Sequence, residues 1–99
     1  MSFELDISDK AKEQLRGFKR DKDLAKRYKA VQEALKKLQR NPRHPSLQTH
    51  GFHSLKGPDG EKVFEAYAEQ NTPAAYRIFF HYGSKKGVIA IISIEPHPD

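Results

Sequence analysis

The sequence predicts a small α+β domain, ordered β-α-α-β-β-β, with an N-terminal helical hairpin packed on one face of an antiparallel sheet. Three observations carry this. Leu24, Tyr28, Val31, Leu35 and Leu38 recur at alternating steps of four and three, a single apolar stripe along a helix. Beyond residue 60, three segments rich in Val, Ile, Phe and Tyr are separated by short polar runs, as in a meander of antiparallel strands. At the start, Phe3, Leu5 and Ile7 alternate with Glu4 and Asp6, a strand with one buried face.

Taken in order, the opening strand runs into Ser8, a good N-cap, with Asp9 favourably placed in the first helical turn. The helix continues to about residue 19, burying Ala11, Leu15 and Phe18, with Gly17 weakening its end. The polar residues 19–23 make a tight connection, so the second helix returns antiparallel to the first. Asn41-Pro42 ends it, because the residue before a proline is pushed out of helical geometry. Residues 43–60 read as a loop punctuated by Pro45, Gly51, Gly57, Pro58 and Gly60, closing in the turn Gly57-Pro58-Asp59-Gly60. Strands are expected over 62–68, 75–82 and 88–94. With no internal repeat or composition break, 1–99 reads as one domain.

Eighteen Lys and Arg against thirteen Asp and Glu give a net charge of +5. That balance favours an anionic partner, nucleic acid first and an acidic protein second, although basic residues also simply solvate helix surfaces. The basic residues of the first helix, Lys10, Lys12, Arg16, Lys19 and Arg20, are candidates to meet such a partner. The absence of Cys removes disulfides, thiolate metal sites and thiol nucleophiles, and suits a reducing cytosol. Without a signal pattern or an apolar run long enough to span a bilayer, a cytoplasmic protein with no membrane partner is expected. No cofactor is implied. His50-x-x-His53 lacks a clear third ligand, so no metal is expected either.

Strand alternation places the candidate chemistry. Tyr76, Ile78, Phe80 and Tyr82 share one face, suited to the helices, which leaves Arg77, Phe79 and His81 on the open face. Pairing across the 84–86 turn would set Ser93 opposite Arg77, with Glu95 and His97 projecting to the same side, and Glu65 can join them from the preceding strand. Arg77, Glu65 and His97 then form the expected catalytic cluster. Lys56, His53, His50 and Arg43 are the candidate nucleic-acid contacts around it. Arginine matches phosphate oxygens with a planar fork. Histidine exchanges protons near neutrality. Metal-independent RNA cleavage needs such a base and acid, with a cation to stabilise the phosphorane. A purely structural Arg77–Glu65 pair across the strands is the alternative.

The same residues carry a family resemblance. Leu55-Lys56-Gly57 before a strand resembles the "LKG" element of the RelE/ParE toxin superfamily, and Tyr76-Arg77-Ile78 is similar to its "YRI" strand. His97 resembles the histidine that ends the family's last strand, and Asn41-Pro42 closes the helical hairpin as in the family. The resemblance covers nearly the whole chain. It implies a toxin restrained by a cognate antitoxin, either a ribosome-dependent messenger-RNA endonuclease of the RelE, YoeB, YafQ or HigB type or a gyrase inhibitor of the ParE type. A binding module that has kept the fold and lost toxicity is a third reading. Under the first, Arg77 would stabilise the phosphate, His97 would match the terminal histidine of the YoeB and YafQ types, and Glu65 would match the Glu of the HigB-type "WELR" strand. Two departures stand out: Tyr67 replaces the arginine of the "ELR" pattern, and no basic residue or tyrosine follows His97.

Overall fold

The alternating and stripe-like apolar patterns are sorted onto the two sides of one sheet. The computed structural model describes residues 2–70 and 75–96. Its elements are β1 (Glu4–Ile7), α1 (Asp9–Arg20), α2 (Ala25–Arg40), β2 (His50–Lys56), β3 (Lys62–Tyr67), β4 (Tyr76–Tyr82) and β5 (Val88–Pro96), with single 3₁₀ turns at Lys22–Leu24 and Pro45–Leu47. The strands lie in the order β1-β5-β4-β3-β2. β2 through β5 form an antiparallel meander, and β1 adds to β5 in parallel. Both helices cover one face. Ala11, Phe18, Val31, Ala34 and Leu38 meet Ala66, Ile78, Phe80, Ile89, Ile91 and Ile94 in a continuous core. Among the described residues no helix is long and apolar enough to cross a membrane.

The expected α+β architecture is borne out, with one strand more. Residues 50–56, read above as part of a loop, form the edge strand β2. Its pairing with β3 is made at His50–Glu65, Gly51–Phe64 and Lys56–Lys62, with an irregularity between Gly51 and Lys56. His50, Gly51 and Ser54 give no alternating apolar signal, because an edge strand with a shifted register buries little on either face.

β5 holds a second irregularity, and this one has wider effects. Phe79 stands opposite Ser93 but Phe80 opposite Ile91, so Ile92 is an extra residue. The expectation that Ser93 faces Arg77 is thereby corrected: Glu95 stands opposite Arg77. The start of α1 accommodates the disturbed ladder. Ser8 Oγ donates to the Ile92 carbonyl at 2.7 Å and accepts the Ala11 N–H at 3.0 Å, capping α1 as expected. Gln14 Oε1 accepts the Ile94 N–H at 2.7 Å.

At the β2–β3 turn, the Gly57 N–H donates to the Glu61 carbonyl and the Gly60 N–H to that of Gly57. Gly60 takes φ +83°, a conformation that favours glycine. Glu61 folds its side chain over Gly57, where an added Cβ would run into it. The backbone N–H groups of Glu61 and Asp59 hold the Glu61 carboxyl below its ordinary value.

Ser8→Ala removes a cap and an acceptor's partner together, and should lower unfolding free energy by about 1–2 kcal/mol in urea titrations. Ser8→Thr, which keeps the hydroxyl, should lose less. Gly57→Ala should cost about 1–3 kcal/mol by overpacking the turn. Since the folded-state value of Glu61 is depressed, its stabilisation is full above the unfolded value and disappears as pH falls through the folded one. Glu61→Gln should therefore remove part of the acid dependence of the melting temperature and leave neutral-pH melting little changed.

Candidate functional site

The site is built on the face that the helices leave uncovered. Alternation in β3 turns Phe64 and Ala66 into the core, so Glu65 and Tyr67 point to the opposite side. β4 does the same with Arg77, Phe79 and His81. Register then sets Glu65 beside Phe79 and Tyr67 beside Arg77. On the outer side β2 brings His50 abreast of Glu65. Four chemically distinct side chains from three neighbouring strands thus converge: His50, Glu65, Tyr67 and Arg77.

Their contacts are close. The Arg77 guanidinium lies flat against Tyr67, 3.5 Å from the ring centroid. Its Nη1 is 3.9 Å from Glu65 Oε1. The same oxygen is 2.8 Å from His50 Nε2, and the His50 ring meets Tyr67 edge-on at 5.8 Å. Glu65 and Arg77 are only 3% and 9% exposed, whereas the His50 side chain is 47% exposed, so the histidine forms the mouth of a buried ion pair. His50 Nδ1 lies 2.8 Å from the Gln48 carbonyl and so carries a proton that it donates there. Gln48 itself adopts a left-handed conformation with φ +46°, a cost that orients this carbonyl. Both ring nitrogens of His50 thus face oxygen atoms, Nδ1 the Gln48 carbonyl and Nε2 Glu65 Oε1.

Beneath it, hydrogen bonding is left incomplete. Among the described residues, Glu65 Oε2 and Arg77 Nε and Nη1 are buried without a hydrogen-bond partner. Buried polar groups rarely go unsatisfied, and a cationic donor is the costliest to leave so. A fork of guanidinium N–H groups held in plane by an aromatic ring suits an oxyanion.

Of the residues expected to form the site, Arg77 and Glu65 come together. His97 lies outside the described residues. His50 sits within the cluster rather than at its edge. Lys56 does not join it: it pairs with Lys62 at the far end of β2 and lines a separate hollow. His53 is exposed further along β2, and Arg43 lies in the turn after α2, its backbone N–H held by Asn41 Oδ1. Neither has a contact with the cluster among the described residues. Glu95, although opposite Arg77, makes its ion pair with Lys10 at 3.4 Å. Tyr67 was legible only as a missing arginine; its directly cross-strand position to Arg77 is the signal that marks it as a stacking partner.

No protein-family model and no curated protein matches the sequence. Solved structures do match, over nearly the whole length. RelE in the archaeal RelE–RelB complex from Pyrococcus horikoshii superposes with a TM-score of 0.65 at 18% identity, covering 97% of this chain and 96% of that one. A YoeB/ParE toxin from Agrobacterium tumefaciens gives 0.69 at 13% identity, covering 96% and 99%. YoeB from Staphylococcus aureus, a dimer, gives 0.66 at 18% identity, covering 99% and 100%. The chain has the RelE/ParE toxin fold. In that fold the helical hairpin backs the sheet and the His50–Glu65–Tyr67–Arg77 cluster occupies the opposite face.

Removing the counter-charge should expose how much the cluster depends on pairing. Glu65→Ala leaves the Arg77 guanidinium buried without a carboxylate and is expected to destabilise by about 3 kcal/mol. His50→Ala, at a half-exposed position, should cost no more than about 1 kcal/mol. Chemical denaturation of the two variants beside the wild type measures the contrast.

Proposed function

We propose that the chain is the toxin of a toxin–antitoxin system that cleaves messenger RNA on the ribosome without a metal ion. The observation that carries the reading is the buried Arg77 guanidinium, stacked on Tyr67 with two nitrogens lacking acceptors among the described residues, beside the His50–Glu65 contact. A phosphodiester that displaces the groups covering this end of Arg77 would supply those acceptors. The net charge of +5 favours approach of such a substrate. The fold is shared with proteins solved as toxins and in complexes with antitoxins, which supports a cognate antitoxin as this chain's partner.

In this reading the ribose 2′-OH attacks the adjacent phosphorus and the bond to the 5′-oxygen breaks, leaving a cyclic phosphate and a 5′-hydroxyl. The His50–Glu65 pair is the candidate base: with Nδ1–H on the Gln48 carbonyl, His50 Nε2 takes the 2′-OH proton once it turns from Glu65 Oε1 to the substrate, and the carboxylate stabilises the resulting imidazolium. Arg77 neutralises the charge that builds on the phosphorane oxygens, where one well-aimed donor contributes about 10²–10³ in rate. Tyr67 keeps the guanidinium plane fixed, which serves where a second arginine is absent. His97 is the candidate to protonate the leaving oxygen. Lys56, His53 and Arg43 are candidate contacts for the RNA backbone at a distance from the scissile bond.

The decisive test is induced expression followed by translation and RNA-integrity measurements. Wild type should arrest growth with cut messenger RNA. Arg77→Ala should reduce cleavage by about 10² or more, and His50→Ala by about 10²–10⁴, with both proteins still folded. His97→Ala tests the second proton-transfer role. Growth arrest with intact RNA and filamentous cells would favour a gyrase-directed toxin instead. Harmless expression of folded protein would favour a binding module.

A further inference from the structure

The carbonyl that takes the His50 Nδ1 proton belongs to a residue in a costly conformation. Gln48 has φ +46° and ψ +41°, and it is the one non-glycine residue at positive φ among the described residues. A left-handed residue with a side chain persists only where its surroundings hold it there. Part of that hold is local. Leu47, 1% exposed, anchors the turn before Gln48, and the Gln48 N–H closes that turn on the Pro45 carbonyl at 3.2 Å. On the other side, Thr49 Oγ1 donates to the Pro42 carbonyl at 2.6 Å.

The rest comes from a distant strand. Gln70, three residues beyond the end of β3, lays its side-chain amide against the same turn. Its Nε2 donates to the Ser46 carbonyl, and its Oε1 accepts from Gln48 Nε2 at 3.2 Å. These two bonds can run in only one sense. A carbonyl only accepts, so Gln70 turns Nε2 towards Ser46, which leaves Oε1 for Gln48 and requires Gln48 to present its amide nitrogen. One planar amide thus spans the turn from Ser46 to Gln48. Gln70 is placed in turn by the β3–β4 ladder. The Ala68 and Glu69 N–H groups both reach the Tyr76 carbonyl, and Glu69 Oε1 accepts the Tyr76 N–H at 3.1 Å. The next pair along this ladder is Tyr67 and Arg77. The end of the sheet that sets the guanidinium on its ring therefore also braces the turn that orients His50.

We propose that Gln70 is a positioning residue for His50. By bracing left-handed Gln48, it holds the carbonyl that selects the Nδ1–H tautomer and keeps Nε2 directed at Glu65 Oε1. Its contribution to catalysis rests on the RNA-cleavage reading above, whereas its control of the tautomer does not. Gln70 acts through Gln48 and not on a substrate.

The test is long-range proton–nitrogen NMR of the His50 imidazole in the full chain, at a pH where the ring is neutral. Wild type should show the Nδ1–H tautomer in about ten-fold excess, and Gln70→Ala should lower that excess by about three-fold, the effect of one weak net hydrogen bond. Gln70→Glu keeps the acceptor for Gln48 and loses the donor to Ser46; it should lower the excess less, and serves if the alanine variant does not fold. Asparagine enters the left-handed region more readily than glutamine, so Gln48→Asn combined with Gln70→Ala should restore the excess. A role in stability alone predicts no such rescue. In RNA cleavage, Gln70→Ala should lower kcat by the same factor and leave KM unchanged. A wild type that cuts no RNA would remove the catalytic reading and leave the tautomer ratio to decide this one. An Nε2–H majority in wild type, or an unchanged ratio in folded Gln70→Ala, would overturn the proposal whatever the cleavage result.

Discussion

One extra residue, Ile92, determines how β5 presents itself to both layers of the molecule. In an uninterrupted strand Ile91 and Ser93 would share a face, and Ile94 would point away from them. With Ile92 bulged out, Ile89, Ile91 and Ile94 all reach the helix-side core, while Ser93 and Glu95 join the face that carries Arg77. A bulge leaves backbone groups without ladder partners, and in a buried central strand these must be satisfied. Ser8, the N-cap of α1, and Gln14, midway along it, supply that satisfaction. Capping of the first helix, seating of the helix layer and register of the last strand are thus one coupled arrangement. The position of Arg77 relative to its neighbours follows from it.

The face so formed carries buried charge that the core does not require. Glu65 and Arg77 could be replaced by apolar residues of similar volume with little loss, since a buried ion pair is weak support for stability. Here the pair is not even well bonded: at 3.9 Å it lies beyond hydrogen-bond distance, and three of its atoms have no partner among the described residues. Tyr67 compensates in part by covering the guanidinium with its π face. Incomplete satisfaction at a buried cation, next to a histidine reaching solvent, is the kind of local conflict that sequences keep where a ligand resolves it.

Charge is divided along this face. The cluster end offers a cation, an imidazole and an aromatic ring. The other end, past His81, offers four carboxylates. A polyanion drawn by the net charge of +5 would meet attraction at the first and repulsion at the second, which gives the surface a polarity that the net charge alone conceals. Phe52 packs edge-on against Phe79 between the strands, extending the apolar support beneath β2.

Much of this architecture was determined by the sequence itself. The apolar stripe of α2, the Ser8 cap, the Asn41-Pro42 stop and the alternation of β3 and β4 are local signals with short physical causes, and they locate both helices and the Arg77 face. Alternation within β3 and β4 puts Glu65 and Arg77 each on a definite face without knowledge of distant contacts, but their meeting rested on the register between the strands. Tertiary structure alone decided the rest. β2 has no pattern of its own and becomes a strand only because β3 offers it an edge. The bulge at Ile92 is stabilised by hydrogen bonds from residues 84 and 80 positions away in sequence, so nothing adjacent to it announces the shift. For the same reason His50 reads as a loop histidine until long-range pairing sets it 2.8 Å from Glu65. Local periodicity encodes which face a side chain takes; which side chains then meet depends on register, and register is set by contacts between distant segments of the chain.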